Sequence, residues 1–134
     1  MEFVVHPIGS VRSSLTDLSQ CPHQGKEGAP DAWIELDPAY VEALKGMQPG
    51  QELIILTWMH LADRTIMQVH PQKNLNKPIK GVFGTRSPDR PNPIALHRVT
   101  VLELQPPCKL RVSPLEALDG TPVIDIKIAL PEDM

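Results

Sequence analysis

Aromatic residues are scarce in this chain: two Trp, one Tyr and two Phe among 134 residues. Phe3, Trp33, Tyr40, Trp58 and Phe83 are too few to furnish the base-stacking sheet of a single-stranded RNA-binding module. Cysteine is scarcer still. Cys21 and Cys108 stand far apart in sequence, so no disulfide scaffold is expected, and a reducing cytoplasm is the expected location. The longest uninterrupted aliphatic run, residues 53–56, is far too short to cross a membrane, and no apolar run of signal-peptide length opens the chain. A cationic excess is also missing. The formal net charge of −3 argues against a surface that coats nucleic acid broadly.

Several catalytic signatures are absent as well. There is no Gly-x-Ser-x-Gly elbow, no phosphate-binding P-loop and no Gly-x-Gly-x-x-Gly turn. Cys21 and His23 are close enough in sequence to ligate a metal together. The remaining histidines, His6, His60, His70 and His97, lack zinc-site spacing, so no metal is expected. No internal repeat is visible.

Proline is abundant. Fifteen prolines are about twice the ~5% average usage, which favours many turns and disfavours a helical bundle. A hydrophobic content of 41% and a charged content of 22% suit one soluble globular domain spanning residues 1–134. Strands are predicted over residues 2–11, bent at His6-Pro7, and over 33–36, 52–59, 63–69, 80–85, 94–104 and 110–112, with a last one alternating Ile124, Ile126 and Ile128. Residues 12–30 read as a long polar loop. Asp37-Pro38 starts a short helix that stops at Gly46, because Asp caps and Pro fits the first helical position. Asp119-Gly120-Thr121-Pro122 reads as a turn in which Asp119 bonds its own backbone. His60 ends the apolar 52–59 strand on the side of Ile54, Leu56 and Trp58. The fold class is mostly β: a small single-sheet β-barrel with one or two short helices.

Residues 81–98 stand out from this background. Pro88, Pro91 and Pro93 fix the backbone and push Ser87, Arg90 and Asn92 out of the helical region. The loop they stiffen presents Arg86, Asp89, Arg90 and Asn92, and a stiff backbone beneath polar side chains lowers the ordering penalty of binding. Between residues 73 and 98, Lys73, Lys77, Lys80, Arg86, Arg90 and Arg98 face Asp89 as the sole acid, which makes a local basic patch suited to an anionic ligand.

The run Gly81-Val82-Phe83-Gly84-Thr85-Arg86-Ser87-Pro88-Asp89-Arg90-Pro91-Asn92-Pro93-Ile94 resembles the signature of the TsaA-like domain family. Asp119-Gly120-Thr121-Pro122-Val123-Ile124-Asp125-Ile126-Lys127 resembles its second motif. Ile8-Gly9-Ser10-Val11-Arg12-Ser13 and Leu56-Thr57-Trp58-Met59-His60 resemble its opening and central strands. Characterised members are TrmO-type, S-adenosylmethionine-dependent tRNA methyltransferases acting on N6 of threonylcarbamoyladenosine. The resemblance therefore implies a small β-barrel, usually a homodimer, with S-adenosyl-L-methionine as cofactor and tRNA as partner. Carried over by position, it implies cofactor contacts at His23, Gln24, Gly25, His60, Leu61, Arg86, Leu96, Pro114, Leu115 and Glu116. In this reading Arg86 holds an anionic group, Leu96 and Leu115 pack on the adenine, and Glu116 accepts from a ribose hydroxyl. The catalytic group is not identified; Arg90, Asn92 and Asp125 are the candidates. His23 departs from the family's usual Arg, Ile94-Ala95-Leu96-His97 from Ile-Gly-Leu-Ser, and Ile128-Ala129 from Pro-Tyr. A small-molecule methyltransferase and a non-catalytic S-adenosylmethionine-binding module are the alternative readings.

Overall fold

The computed structural model describes residues 1–16 and 31–133. Within them the chain is mostly β. Six strands form one antiparallel sheet: β1 (Gly9–Arg12), β2 (Ala32–Leu36), β3 (Glu52–Trp58), β6 (Ile94–Gln105), β7 (Lys109–Ser113) and β8 (Pro122–Ile128). Their order is β1-β2-β7-β6-β3-β8. β8 pairs back onto β1 through Gly9↔Val123 and Ser10↔Pro122, so the sheet closes on itself. A separate two-stranded ribbon joins β4 (Gln68–Val69) to β5 (Lys80–Gly81).

Alternation builds the core. Val11, Ile34, Leu53, Ile55, Val99, Val101, Leu110, Val112 and Val123 point inward and are all at most 1% exposed. Leu115 and Ala117, beyond the end of β7, complete the same cluster. β3 is central as its apolar run requires, paired to β6 on one side and β8 on the other. Gly9 is needed where β1 meets β2, because a Cβ there would lie 2.9 Å from Leu36 Cα, closer than backbone tolerates. The predicted helix after Asp37 is a 3-10 segment, Pro38–Leu44, with Asp37 accepting from Ala39 N at 2.9 Å. None of its residues is buried, and Leu44 at its end packs against the core from a partly exposed position. No helix among the described residues is long and apolar enough to cross a membrane.

Four strand expectations need correction. The first strand begins only at Gly9. Pro7 has no N–H to pair, and Phe3, Val4 and Val5 are exposed. Residues 63–67 are not strand, because Asp63 Oδ1 takes both Thr65 N at 2.8 Å and Thr65 Oγ1 at 2.6 Å and turns the chain. The 80–85 strand ends at Gly81, and Val82–Gly84 forms a single 3-10 turn. In β8 the strict alternation of isoleucines is interrupted. Leu56 pairs with Asp125 but Thr57 with Val123, so a bulge at Ile124 turns Val123 and Ile126 inward. The 12–30 loop falls largely outside the described residues. Asp119 also differs from expectation: its carboxylate accepts from Ser13 N at 3.1 Å, across the chain, rather than from its own turn.

Candidate functional site

β3 ends and β6 begins at the same rim of the sheet, and two loops meet there. Residues 85–93, the proline-rich signature loop, hold themselves together. Arg90 donates from Nε to Ser87 O at 2.8 Å, and from Nη2 to Val82 O at 2.7 Å and Thr85 O at 2.6 Å. Thr85 Oγ1 donates to Val82 O at 2.9 Å and accepts from Ser87 N at 3.2 Å; Ser87 Oγ in turn accepts from Asp89 N at 3.2 Å. Arg90 is thus spent on three backbone carbonyls, and its role as a catalytic candidate gives way to a structural one.

The facing loop, residues 59–67, leans on this scaffold. Met59 N donates to Pro93 O at 2.8 Å, and Asp63 N to Asp89 Oδ1 at 2.9 Å. Arg64 donates from Nε to Pro91 O at 2.7 Å and from Nη2 to Asn92 Oδ1 at 3.2 Å, with its guanidinium 5.1 Å from the centre of the Trp58 ring. Asn92, another catalytic candidate, therefore serves as the acceptor of a loop-to-loop bond. Thr65 donors hold the Asp63 carboxyl below the usual carboxylate range.

The site residues inferred from sequence fall around this rim in different ways. His60 and Leu61 follow the end of β3 and are exposed, Leu61 to 61%. Arg86 is exposed on the signature loop. Leu96 sits opposite Leu56 on the outer face of the sheet and is 41% exposed. It borders a groove of about 320 Å³ lined by Ile54, Leu56, Lys127, Ile128 and Leu130. A second cleft of about 380 Å³ lies where the ribbon enters the signature loop, lined by Met67, Lys80, Val82 and Phe83.

Pro114, Leu115 and Glu116 follow β7, whose last residue, Ser113, pairs with Thr100 of β6. Beyond that pair, residues 94–99 of β6 have β3 as their only strand neighbour among the described residues, which leaves a backbone edge at the rim. Leu115 is fully buried in the core, so its side chain is not exposed to pack on an adenine. Asp125, opposite Leu56, is on the outer face with its carboxylate 3.0 Å from Lys127 Nζ and accepting from Ile126 N. That engagement weakens its case as a base. His23, Gln24 and Gly25 lie outside the described residues.

The basic patch is smaller than the sequence suggests. Arg90 is committed to carbonyls, and Arg98 donates to Glu52 Oε2 at 2.5 Å and Asp133 O at 3.0 Å. Lys73, Lys77, Lys80 and Arg86 carry the exposed positive charge. Among the described residues no three His, Cys, Asp or Glu side chains group as a metal site.

Beneath the rim is a polar pair that the sequence did not reveal. His97 faces inward beside Ile55, in the row continued by Val99 and Val101. Its Nε2 is 2.9 Å from Thr57 Oγ1, which also donates to Met59 Sδ at 3.8 Å. Burial pushes the His97 pKa down to about 4, so the ring is neutral at pH 7.

The profile of the tRNA-methyltransferase O N-terminal domain matches residues 10–132. A probable S-adenosyl-L-methionine-binding protein of Methanothermobacter thermautotrophicus is 42% identical over 129 residues, covering 95% of this chain and 90% of the relative. An S-adenosyl-L-methionine-binding protein of Archaeoglobus fulgidus is 39% identical over 129 residues, covering 96% and 91%. The crystal structure of TrmO from Pseudomonas aeruginosa superposes with a TM-score of 0.77 at 32% identity and covers 98% of this chain. The chain spans only 57% of that longer protein.

Proposed function

The chain belongs to the tRNA-methyltransferase O N-terminal domain family, and on that footing we propose that it binds S-adenosylmethionine and methylates tRNA. The observation that carries this reading is convergence. His60-Leu61 follow the end of β3, the loop that carries exposed Arg86 leads into β6, Leu96 is the third residue of β6, and Pro114–Glu116 continue from β7 beyond its last pair with β6. The donor set suits the cofactor. Arg86 is a cation able to hold a carboxylate bidentately. Leu61 and Leu96 present exposed apolar surface for an adenine, and the edge of β6 presents backbone groups for its nitrogens. Glu116 would accept from a ribose hydroxyl. When bound, the cofactor supplies a methyl group activated by a sulfonium. The protein's part is then chiefly placement of two reactants, which is consistent with a site that shows no triad.

The finer reading is N6 of threonylcarbamoyladenosine as acceptor. We read the closed sheet as the family's small barrel, and the chain as one domain that pairs into a homodimer. Exposed apolar side chains offer a surface for pairing: Ile94, Leu96, Leu102, Ile128 and Leu130 are each between 38% and 52% exposed. A monomeric mass in equilibrium sedimentation at tens of micromolar would remove the dimer.

A second reading, a binding module without turnover, is favoured by the fate of the catalytic candidates. Arg90 holds carbonyls, Asn92 accepts from Arg64, and His97 with a pKa of about 4 is too weak a base for an amide-like nitrogen. One experiment separates the two. Calorimetry with S-adenosylmethionine should give micromolar binding that Arg86→Ala weakens at least tenfold. Incubation with radiolabelled cofactor and unmodified tRNA should then label a nucleoside. Binding without label on tRNA or on a metabolite extract selects the module; no binding by folded protein sinks both readings.

A further inference from the structure

We propose that Arg64 is a positioning residue for the cofactor site, fixing His60 and Leu61 against the signature loop that carries Arg86. The inference rests on the S-adenosylmethionine reading above and adds a residue that no motif marks. The segment between Trp58 and Gln68 has no regular structure, only a turn from Ala62 N to Met59 O at 3.0 Å and the Asp63–Thr65 turn. Those bonds shape it locally but do not say where it lies. Its far end is tied by Val82 N donating to Met67 O at 2.9 Å, and its near part, which carries His60 and Leu61, is held by contacts to residues 89–93, two of which Arg64 supplies with one planar group.

The geometry requires a guanidinium. Nε reaches a backbone carbonyl, Nη2 reaches a side-chain carbonyl one residue further on, and the flat face is free to lie over Trp58. Pro91 and Pro93 flank Asn92, so the two acceptors are held on rigid backbone, two residues before β6 begins. Trp58, the last residue of β3, is equally fixed. Arg64 thus ties the loop to the two strands that make the rim. Arg64 is itself exposed and is no member of the core cluster, so the chain is expected to fold without it. A group that is dispensable for folding but fixes a loop between two rigid points is suited to setting ligand affinity.

The test is titration of S-adenosylmethionine into the full chain and into Arg64→Lys, Arg64→Ala and Asn92→Ala, with thermal unfolding of each without ligand. Lysine keeps the charge and can lie over Trp58, but cannot satisfy both acceptors from one plane. Arg64→Lys should bind about tenfold more weakly, the size of one charge-assisted hydrogen bond, and Arg64→Ala at least as weakly, with unfolding temperatures close to the parent. Asn92→Ala should weaken binding less, and should add nothing in an Arg64→Ala background. Parent-like affinity in both Arg64 variants overturns the proposal while leaving the cofactor reading intact. So does parent-like binding by Arg64→Lys beside a destabilised Arg64→Ala, because charge alone would then suffice. A parent chain that does not bind S-adenosylmethionine removes the cofactor reading and this inference with it.

Discussion

Two loops of similar length face each other across the rim, and they are held by opposite means. Residues 85–93 bond mainly to themselves: Arg90, Thr85 and Ser87 satisfy the loop's own backbone, and three prolines limit its conformations. Residues 59–67 are a proline-free stretch attached mainly to the other loop, through Asp63 N, Arg64 and Met59 N, with one further bond from Val82 N to Met67 O at its far end. The first loop is a scaffold and the second is its dependant. If the site works as proposed, the self-held loop presents the cation, Arg86, and the dependent loop presents His60 and Leu61. A loop of the second kind can move with modest loss of packing, whereas one of the first kind cannot.

This asymmetry predicts unequal effects of removing two arginines. Arg90→Ala removes three hydrogen bonds from a charged donor in a partly buried loop, and Val82 O alone of the three carbonyls keeps donors from Thr85. Each such bond contributes about 1.5–3 kcal/mol, so a net loss of about 3 kcal/mol in urea unfolding is expected after water recovers part of it. Arg64→Ala, exposed and with one of its contacts a cation–π pair, should lose about 1 kcal/mol or less. Arg90→Lys should recover less than half, because an ammonium cannot reach three carbonyls spread over residues 82–87. Equal losses at the two arginines would erase the distinction between scaffold and dependant.

The unequal legibility of the molecule follows the same line. The signature loop was readable because its rigidity is written in prolines and its bonding in polar residues at close spacing. The strands around β3, β6 and β7 were readable because burial imposes period two on apolar residues. The ribbon and residues 59–67 were not. Asp63 and Thr65 look like ordinary members of a strand until the Asp63 carboxylate is seen to close a turn. Arg64 looks like a solvated charge, and its partners are more than two dozen residues away in sequence. Leu115 shows the reverse error. An exposed role was inferred for a side chain that the closure of the sheet buries. The bulge at Ile124 likewise could not be read from β8 alone, because a bulge is a property of the pair of strands. His97 was noticed as a departure from the family pattern, but its inward direction depends on its register against Ile55.

His97 also provides the smaller and sharper test, since it lies under the roots of both loops. Thr57, its partner, is the residue before Trp58, and His97 itself is the fourth residue of β6. Its pKa in the fold is about 4, below the ordinary 6.5, so the folded state favours the neutral ring. Between those values the unfolded chain binds a proton that the native protein refuses. Stability must therefore fall as pH is lowered from about 6.5, and the contribution of His97 is spent once pH passes about 4 and the native ring is protonated too. The loss assigned to this one group is up to about 2 kcal/mol between pH 7 and pH 5. His97→Ser removes the titrating group and keeps a hydroxyl, so its stability curve should be flatter than the parent's over that range, and parallel curves would show that the ring titrates normally. Hydrogen exchange at pH 5 adds the local reading. Strain at Thr57 should reach residues 59–67 first, because they hang from Trp58 and have few bonds of their own. The signature loop should keep its protection through the three carbonyl bonds of Arg90. If both loops lose protection together, the signature loop depends on the rim as much as its neighbour does, and the scaffold is the whole mouth of the sheet rather than one of its loops.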